Sequence, residues 1–209
     1  MKVLIGCEYS GVVRDAFIAL GHDAMSCDLL PTDAPGPHYQ GDIFDVIDYP
    51  WDIAIFHPPC TDLAVSGAAW FAKKRMIGAQ QASASFFMKL QRASAHIPMT
   101  ATENPVCVMS SLWRKPDQVI QPWMFGHPEQ KATCLWLKNL SPLMATNDVK
   151  SEMMALPANQ RQRLHYLPPS EDRWKIRSQT FQGIADAMAN QWGAVPANDN
   201  VPSTKEVAV

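Results

Sequence analysis

Asp52-Ile53-Ala54-Ile55-Phe56 is a continuous apolar run that stops at His57-Pro58-Pro59. A run without polar alternation reads as a strand buried on both faces, and the proline rings forbid further ladder pairing beyond it. Val3-Leu4-Ile5 reads as a second buried strand. It is followed by the turn-like Cys7-Glu8-Tyr9-Ser10-Gly11 and a helical stretch from about Val12 to Leu20 that closes on Gly21. A short strand is expected at Asp23 to Cys27, ending at Asp28, and Gly41-Asp42-Ile43 ends a Pro-rich connection. From about Lys74 to Ala95 the chain is rich in Ala, Gln and Met with no proline, the pattern of one long crossover helix. A further strand at Met99 to Thr102 leads into Glu103-Asn104-Pro105. Short apolar strands alternating with helical connections predict an α/β chain, with a mostly parallel sheet, flanking helices and ligands outside the carboxyl ends of the strands.

The 209 residues, 47% of them hydrophobic, suffice for one substantial core and not for two catalytic domains, so a single domain over residues 1–195 is expected. A formal net charge of −2 leaves any nucleic-acid contact to a local patch. The opening Met1-Lys2-Val3-Leu4-Ile5-Gly6 is too brief an apolar run for a signal peptide or a membrane span, which predicts a soluble, cytoplasmic protein. Five widely spaced cysteines with no C-x-x-C pair argue against a disulfide framework and a structural zinc site, and no metal is expected. After Leu140 the periodicity weakens into a loop-rich stretch. Helix returns from Gly183 to Trp192, and the polar tail from about Pro196 is expected to be disordered.

Pro58-Pro59-Cys60 and, roughly forty residues later, Glu103-Asn104-Pro105 each stand at the end of an expected strand. The pair resembles the cytosine-C5 methyltransferase family, in which a Pro-Pro-Cys turn supplies a nucleophile and a Glu-Asn turn supplies an acid. The chemistry accounts for the pairing. Cytosine C5 is too weak a nucleophile to take a methyl group directly, so a thiolate adds at C6 and makes C5 an enamine carbon. A carboxyl group at N3 and the exocyclic amine offsets the charge that builds on the ring. The resemblance therefore implies a Rossmann-like S-adenosylmethionine-dependent methyltransferase fold. It further implies a DNA duplex from which the target cytosine is flipped, with Cys60 and Glu103 catalytic.

The likeness continues in the family's order. Glu8-Tyr9-Ser10-Gly11 stands at the family's Phe-Ser-Gly loop, Asp28 at its ribose-binding acid, and Asp42 at the residue that reads the adenine amine. Gly126-His127-Pro128-Glu129-Gln130-Lys131-Ala132-Thr133 is similar to the Gly-Val-Pro-Gln-x-Arg-x-Arg element, and Ser178-Gln179-Thr180-Phe181-Gln182-Gly183 to the last motif. By this resemblance Tyr9, Ser10, Gly11, Asp28, Asp42, Pro58 and Thr180 contact S-adenosylmethionine. Lys131 joins the catalytic group, and Asn104 and Thr133 face the substrate. Gly11-Val12-Val13-Arg14 departs from the family's Gly-x-Gly-Gly, and Lys131 and Thr133 replace its two arginines, losing the planar guanidinium fork.

Only about 40 residues separate Leu137 from Ser178, too few for an independent recognition domain. The reduced stretch, residues 141–177, carries Arg161, Arg163, Arg173, Lys175 and Arg177 among His165, Tyr166 and Trp174, which suits phosphate contact with little sequence discrimination. Arg161 and Arg163 are its candidate nucleic-acid contacts. Trp70 and Trp113 suit either a base pocket or the core, and Asp28 and Asp42 suit turn or helix caps equally well. Cys7, Cys27, Cys107 and Cys134 read as core, and His57 and His127 carry no assigned role. The same chemistry on RNA or a free pyrimidine nucleotide remains open, as does an inactive nucleic-acid-binding relative; the oligomeric state is not legible.

Overall fold

Val3, Leu4 and Ile5 are wholly buried, and so are Ile53, Ala54, Ile55 and Phe56, which puts these two strands at the centre of the molecule. The computed structural model describes residues 1–194, and the tail expected from Pro196 lies outside them. In chain order the strands are β1 (Lys2–Gly6), β2 (Asp23–Asp28), β3 (His38–Gln40), β4 (Ile53–Phe56), β5 (Met99–Pro105), β6 (Gln118–Ile120) and β7 (Thr133–Lys138). The helices are α1 (Val12–Ala19), α2 (Phe71–Met76), α3 (Ala79–Ala93) and α4 (Met109–Leu112), then α5 (Lys150–Ala155), α6 (Ala158–Arg161), α7 (Arg163–Tyr166), α8 (Arg173–Ser178) and α9 (Gln182–Gly193).

The strands form one seven-stranded sheet in the order β3-β2-β1-β4-β5-β7-β6. Neighbours from β3 to β5 are parallel, and β7 alone runs against its neighbours β5 and β6. The fold is therefore α/β with a mostly parallel sheet and flanking helices. From β1 the chain winds outward through β2 to β3, then returns to β4 on the other side. The resulting switch point between β1 and β4 opens a crevice at their carboxyl ends.

Period-two alternation sends neighbouring residues to opposite faces. Val3, Ile5, Ile53 and Ile55 pack with Phe17 of α1 and Ile184, Met188 and Trp192 of α9. Leu4, Ala54 and Phe56 pack on the other face with Ile43, Ile47 and Leu90. Among the described residues no helix is long and apolar enough to cross a membrane.

Three local expectations are corrected. The long crossover helix over 74–95 is two helices, α2 and α3, parted at Gly78, whose φ of 76° is left-handed. Glu103-Asn104-Pro105 is no turn: β5 continues through it, because Asn104 pairs with Cys134 and Pro105 with Thr133 of β7. The stretch after Leu140 contains the four short helices α5 to α8 among its turns.

Arg14 is wholly buried in α1. Its guanidinium donates to Asp15 Oδ1 (2.7 Å), Ser26 and Thr32 hydroxyls (3.2 Å each), and the carbonyls of Ala34 (3.1 Å) and Pro35 (3.2 Å). It thereby fastens the Pro-rich connection between β2 and β3 to α1. Removing it leaves the Pro35 carbonyl without its donor and takes one partner each from the Ala34 carbonyl and the Ser26 and Thr32 hydroxyls, so Arg14→Leu is expected to lose about 2–4 kcal/mol in urea unfolding. A loss below about 1 kcal/mol, the net value of one hydrogen bond, would show the connection to be held by other means.

Candidate active site

The carboxyl ends of β1 to β5 lie on one side of the sheet, and because β7 is antiparallel its beginning falls there too. At the end of β1 the chain turns sharply: Cys7 has φ 59° and Gly11 φ 77°. Gly11 must be glycine for a second reason, since a Cβ there would sit 2.5 Å from Arg14 Nη2. Between them Glu8, 5% exposed, turns its carboxylate onto the first turn of α1. It accepts from Val13 N at 2.8 Å, Arg14 N at 3.4 Å and the Ser10 hydroxyl at 3.1 Å. The electropositive end of α1 is thus filled by the chain's own anion, and the Ser10 hydroxyl is spent within the loop.

Tyr9 reaches out to α8: its hydroxyl lies 2.9 Å from Ser178 Oγ and its ring centroid 5.7 Å from that of Trp174. Lys175 pairs with Asp33 at 2.7 Å beside it. A cleft of about 330 Å³ lies here, lined by Tyr9, Ser10, Asp33, Asp172, Lys175 and Gln179. Thr180 lines an adjoining cleft with Val12 and Phe181. Asp28 and Asp42, at the ends of β2 and β3, both perform the capping that their sequence positions also allow. Asp28 accepts from Leu30 N at 2.9 Å, and Asp42 caps the turn Ile43–Asp45 through Phe44 N at 3.1 Å. Burial pushes the Asp28 carboxyl up, and the two carboxylates together with burial push the Cys7 thiol far up, which places both near Cys7.

After β4 the His57 N–H donates to the Gly6 carbonyl at 2.9 Å, joining β4 to β1 at the switch point. Pro58 is buried, and its carbonyl accepts from Asn104 Nδ2 at 2.9 Å. The Cys60 carbonyl accepts from Leu63 N (3.0 Å) and Ala64 N (2.9 Å), closing the turn that presents the half-buried thiol. Glu103, with 18% of its side chain exposed, sets Oε2 3.4 Å from His57 Nδ1. Lys131 stands just before β7. Its backbone N–H donates to Gln121 Oε1 at 3.0 Å, and its ammonium to the Gln179 carbonyl at 3.3 Å.

Burial pushes the Cys60 thiol up, the Glu103 carboxylate adds to that, and the cations Lys131 and Arg177 oppose it. For Glu103 burial also favours the neutral form. The hydrogen bond and charge of His57, the Lys131 charge and the Thr133 hydroxyl outweigh it and hold the carboxyl below its ordinary range. At rest the site therefore contains a thiol beside a carboxylate.

The structure thus brings Cys60, Glu103, Lys131 and Thr133 together, with Asp28, Asp42, Tyr9, Ser10 and Gly11 across the β1–β4 crevice. Asn104 is 1% exposed and clamps the Cys60 turn, so the expected substrate contact gives way to a structural role. Arg161 does not project freely into solvent: its Nε is buried without a partner among the described residues, and its carbonyl accepts from Gln130 N at 2.6 Å. Arg163 is exposed but paired with Glu129 at 3.0 Å. Trp113 packs against Phe87 and Trp136 in the core, whereas Trp70 is 62% exposed beside the exposed Lys73 and Arg75. His127 accepts from Gly183 N at 3.0 Å at the start of α9. Sequence reasoning missed Glu8, Arg14 and His57; only the acid shortly before α1 carried a readable signal, as a helix-terminus cap.

Compared with known protein families and with curated proteins, the chain gives no match in either.

Because the Cys60 thiol is held protonated, its alkylation by iodoacetamide, followed site by site by mass spectrometry, should accelerate as pH rises through the alkaline range. Lys131→Met should slow it at pH 8 by roughly threefold, half a pK unit, and Glu103→Gln should speed it. Equal rates in all three proteins would separate Cys60 from both charges.

Proposed function

We propose that this protein is an S-adenosylmethionine-dependent methyltransferase that acts on C5 of cytosine in DNA, with Cys60 as its covalent nucleophile. One observation carries the reading: Cys60 and Glu103 stand at the carboxyl ends of the adjacent strands β4 and β5, and the buried Asn104 amide locks the two segments together.

The donor set fits the cofactor. The carboxylates of Asp28 and Asp42, at successive strand ends near Cys7, suit a ribose diol and an adenine amine. Gly11, in its left-handed conformation, lets backbone approach closely, while Tyr9, Ser10 and Thr180 line the adjoining clefts. When bound, S-adenosylmethionine supplies an electrophilic methyl group. The chain's own residues do the rest. Cys60 gives its proton to water, the charges of Lys131 and Arg177 favouring the thiolate, and the thiolate forms the Sγ–C6 bond. Glu103 serves N3 and the exocyclic amine while the ring carries extra electron density. Asn104 and the two prolines keep the nucleophile from moving as the ring is attacked.

A flipped cytosine costs about a few kcal/mol to extrude, which backbone contacts must offset. Exposed cations that follow Cys60 in the chain, Lys73 and Arg75 on α2, are candidates for phosphate contact in place of the paired Arg163 and the partly buried Arg161. The double variant Lys73→Ala with Arg75→Ala should weaken duplex binding evenly across sequences and reduce the slope of log affinity against log salt by about 2. An unchanged slope would remove α2 from the interface.

Incubation with tritiated S-adenosylmethionine and duplex DNA, with and without 5-fluorocytosine, tests the reaction. Label transfer and a denaturation-resistant adduct are expected for wild type, both absent in Cys60→Ala, and Glu103→Ala should be slower by about 10²-fold or more. Label on dCMP or RNA alone would move the substrate; no label on any of the four, duplex and single-stranded DNA, RNA and dCMP, would sink the reading.

A further inference from the structure

His57 is nine-tenths buried at the β1–β4 switch point. Its Nδ1 lies 3.4 Å from Glu103 Oε2, while its Nε2 is buried and meets no hydrogen-bond partner among the described residues. A buried histidine kept only for structure has its polar atoms paired, as Nε2 of His127 is with the Gly183 N–H. Among the described residues nothing pairs with Nε2 of His57, so no second partner fixes which ring nitrogen carries a proton. Glu103 poses the matching problem. It must give N3 a proton as the thiolate adds, yet Lys131 and the Thr133 hydroxyl favour its ionised form.

We infer that His57 is a positioning residue that acts through Glu103, supplying the proton that Glu103 delivers to N3 of the bound pyrimidine. The inference rests on the methyltransferase reading above. The imidazolium Nδ1–H bond breaks, Glu103 carries the proton across, and the N3–H bond forms. In the same step the Cys60 Sγ–C6 bond forms, the C5–C6 π pair moves to C4–C5, and the C4–N3 pair takes the proton. The positive charge of the imidazolium and the negative charge of the thiolate are both consumed, leaving a neutral ring adduct and the Glu103 carboxylate. When the thiolate leaves, N3 returns the proton by the same route, and the proton from C5 passes to water. The other ionisable groups around the pair are Cys60, Lys131, Arg177 from α8, Cys107 after β5 and Cys134 on β7. Of these and Thr133, His57 is the one group that hydrogen-bonds Glu103 through a ring able both to take up and to pass on a proton.

His57→Asn can keep a donor toward Glu103 but has no proton to supply. Two measurements test it. In the protein alone, ¹³C NMR of the Glu103 carboxyl should show its titration moving to higher pH in His57→Asn, since an imidazolium neighbour is lost; an unmoved titration overturns the inference. With duplex DNA tritiated at cytosine C5 and no cofactor, tritium release reports reversible thiol addition. Wild type should give a bell-shaped pH profile that Cys60→Ala abolishes. His57→Asn should be slower by about 10²-fold and lose the bell shape of that profile. If His57→Asn keeps the wild-type rate and profile while Cys60-dependent release stands, the proton role falls and the methyltransferase reading survives. If wild type shows neither Cys60-dependent release nor methyl transfer, both fall.

Discussion

The hydrogen bond from Asn104 Nδ2 to the Pro58 carbonyl, 2.9 Å long and buried, fixes the relation between the two halves of the site. Neither Pro58 nor Pro59 has an N–H, so the carbonyl is the one strong backbone handle at Pro58. The register Phe56 to Thr102 between β4 and β5 brings Asn104 level with it, and pairing of Asn104 with Cys134 stops β5 from fraying there. Cys60 two residues beyond Pro58 and Glu103 one residue before Asn104 then have little freedom to separate. The fit is incomplete, for Asn104 Oδ1 is buried without a partner among the described residues. Retaining that cost at a strand end is what a site under functional constraint would do.

Burial acts alike on the two reactive groups and yields opposite results. It favours the neutral form of both, and Cys60 follows, with Glu103 adding to the effect. Glu103 does not, because His57, Lys131 and the Thr133 hydroxyl all favour its charge. In the reaction proposed above, nucleophilic addition would need thiolate and acid, the reverse of the resting pair, so protons would have to be redistributed when a base binds. Groups whose environments push their proton affinities apart mark the acid and base of a site.

The central sheet was legible because Val3 to Ile5 and Ile53 to Phe56 are apolar on both faces, a pattern that needs no knowledge of the rest of the chain. β3 and β6 were not, because three residues each carry no periodicity, and their pairing is dictated by neighbours elsewhere in the sequence. Glu103 to Pro105 looked like a turn for the same reason: the strand continues only because β7, nearly thirty residues on, runs antiparallel beside it. Gly78 interrupts a pattern that reads as one helix, and a single glycine inside helical periodicity is ambiguous until its φ is known. At the site, Cys60 and Glu103 were readable from strand-end motifs. Arg14 and His57 were not, since a buried guanidinium and a histidine facing a carboxylate are products of folding, and Glu8 carried only the signal of an acid ahead of a helix.

The cations of residues 141–177 are largely occupied in holding that segment together. Arg163 pairs with Glu129, Arg173 donates to the Leu167 carbonyl at 2.8 Å, and Lys175 spans to Asp33. Exposed pairs of this kind contribute roughly 0–1 kcal/mol each, so they tie short helices to the sheet without making them rigid. A short segment that spends its charge on its own folding has little left for reading an extended ligand. On α2 the balance is reversed: Lys74 is tied to Asp62 at 3.2 Å, while Lys73 and Arg75 are exposed, as is Trp70 just before the helix. Contacts of that type attract a polyanion through its backbone and stack on any base, so affinity would come with little sequence preference. On the proposed function, discrimination would then rest on the groups around Cys60 and Glu103, which meet a single base.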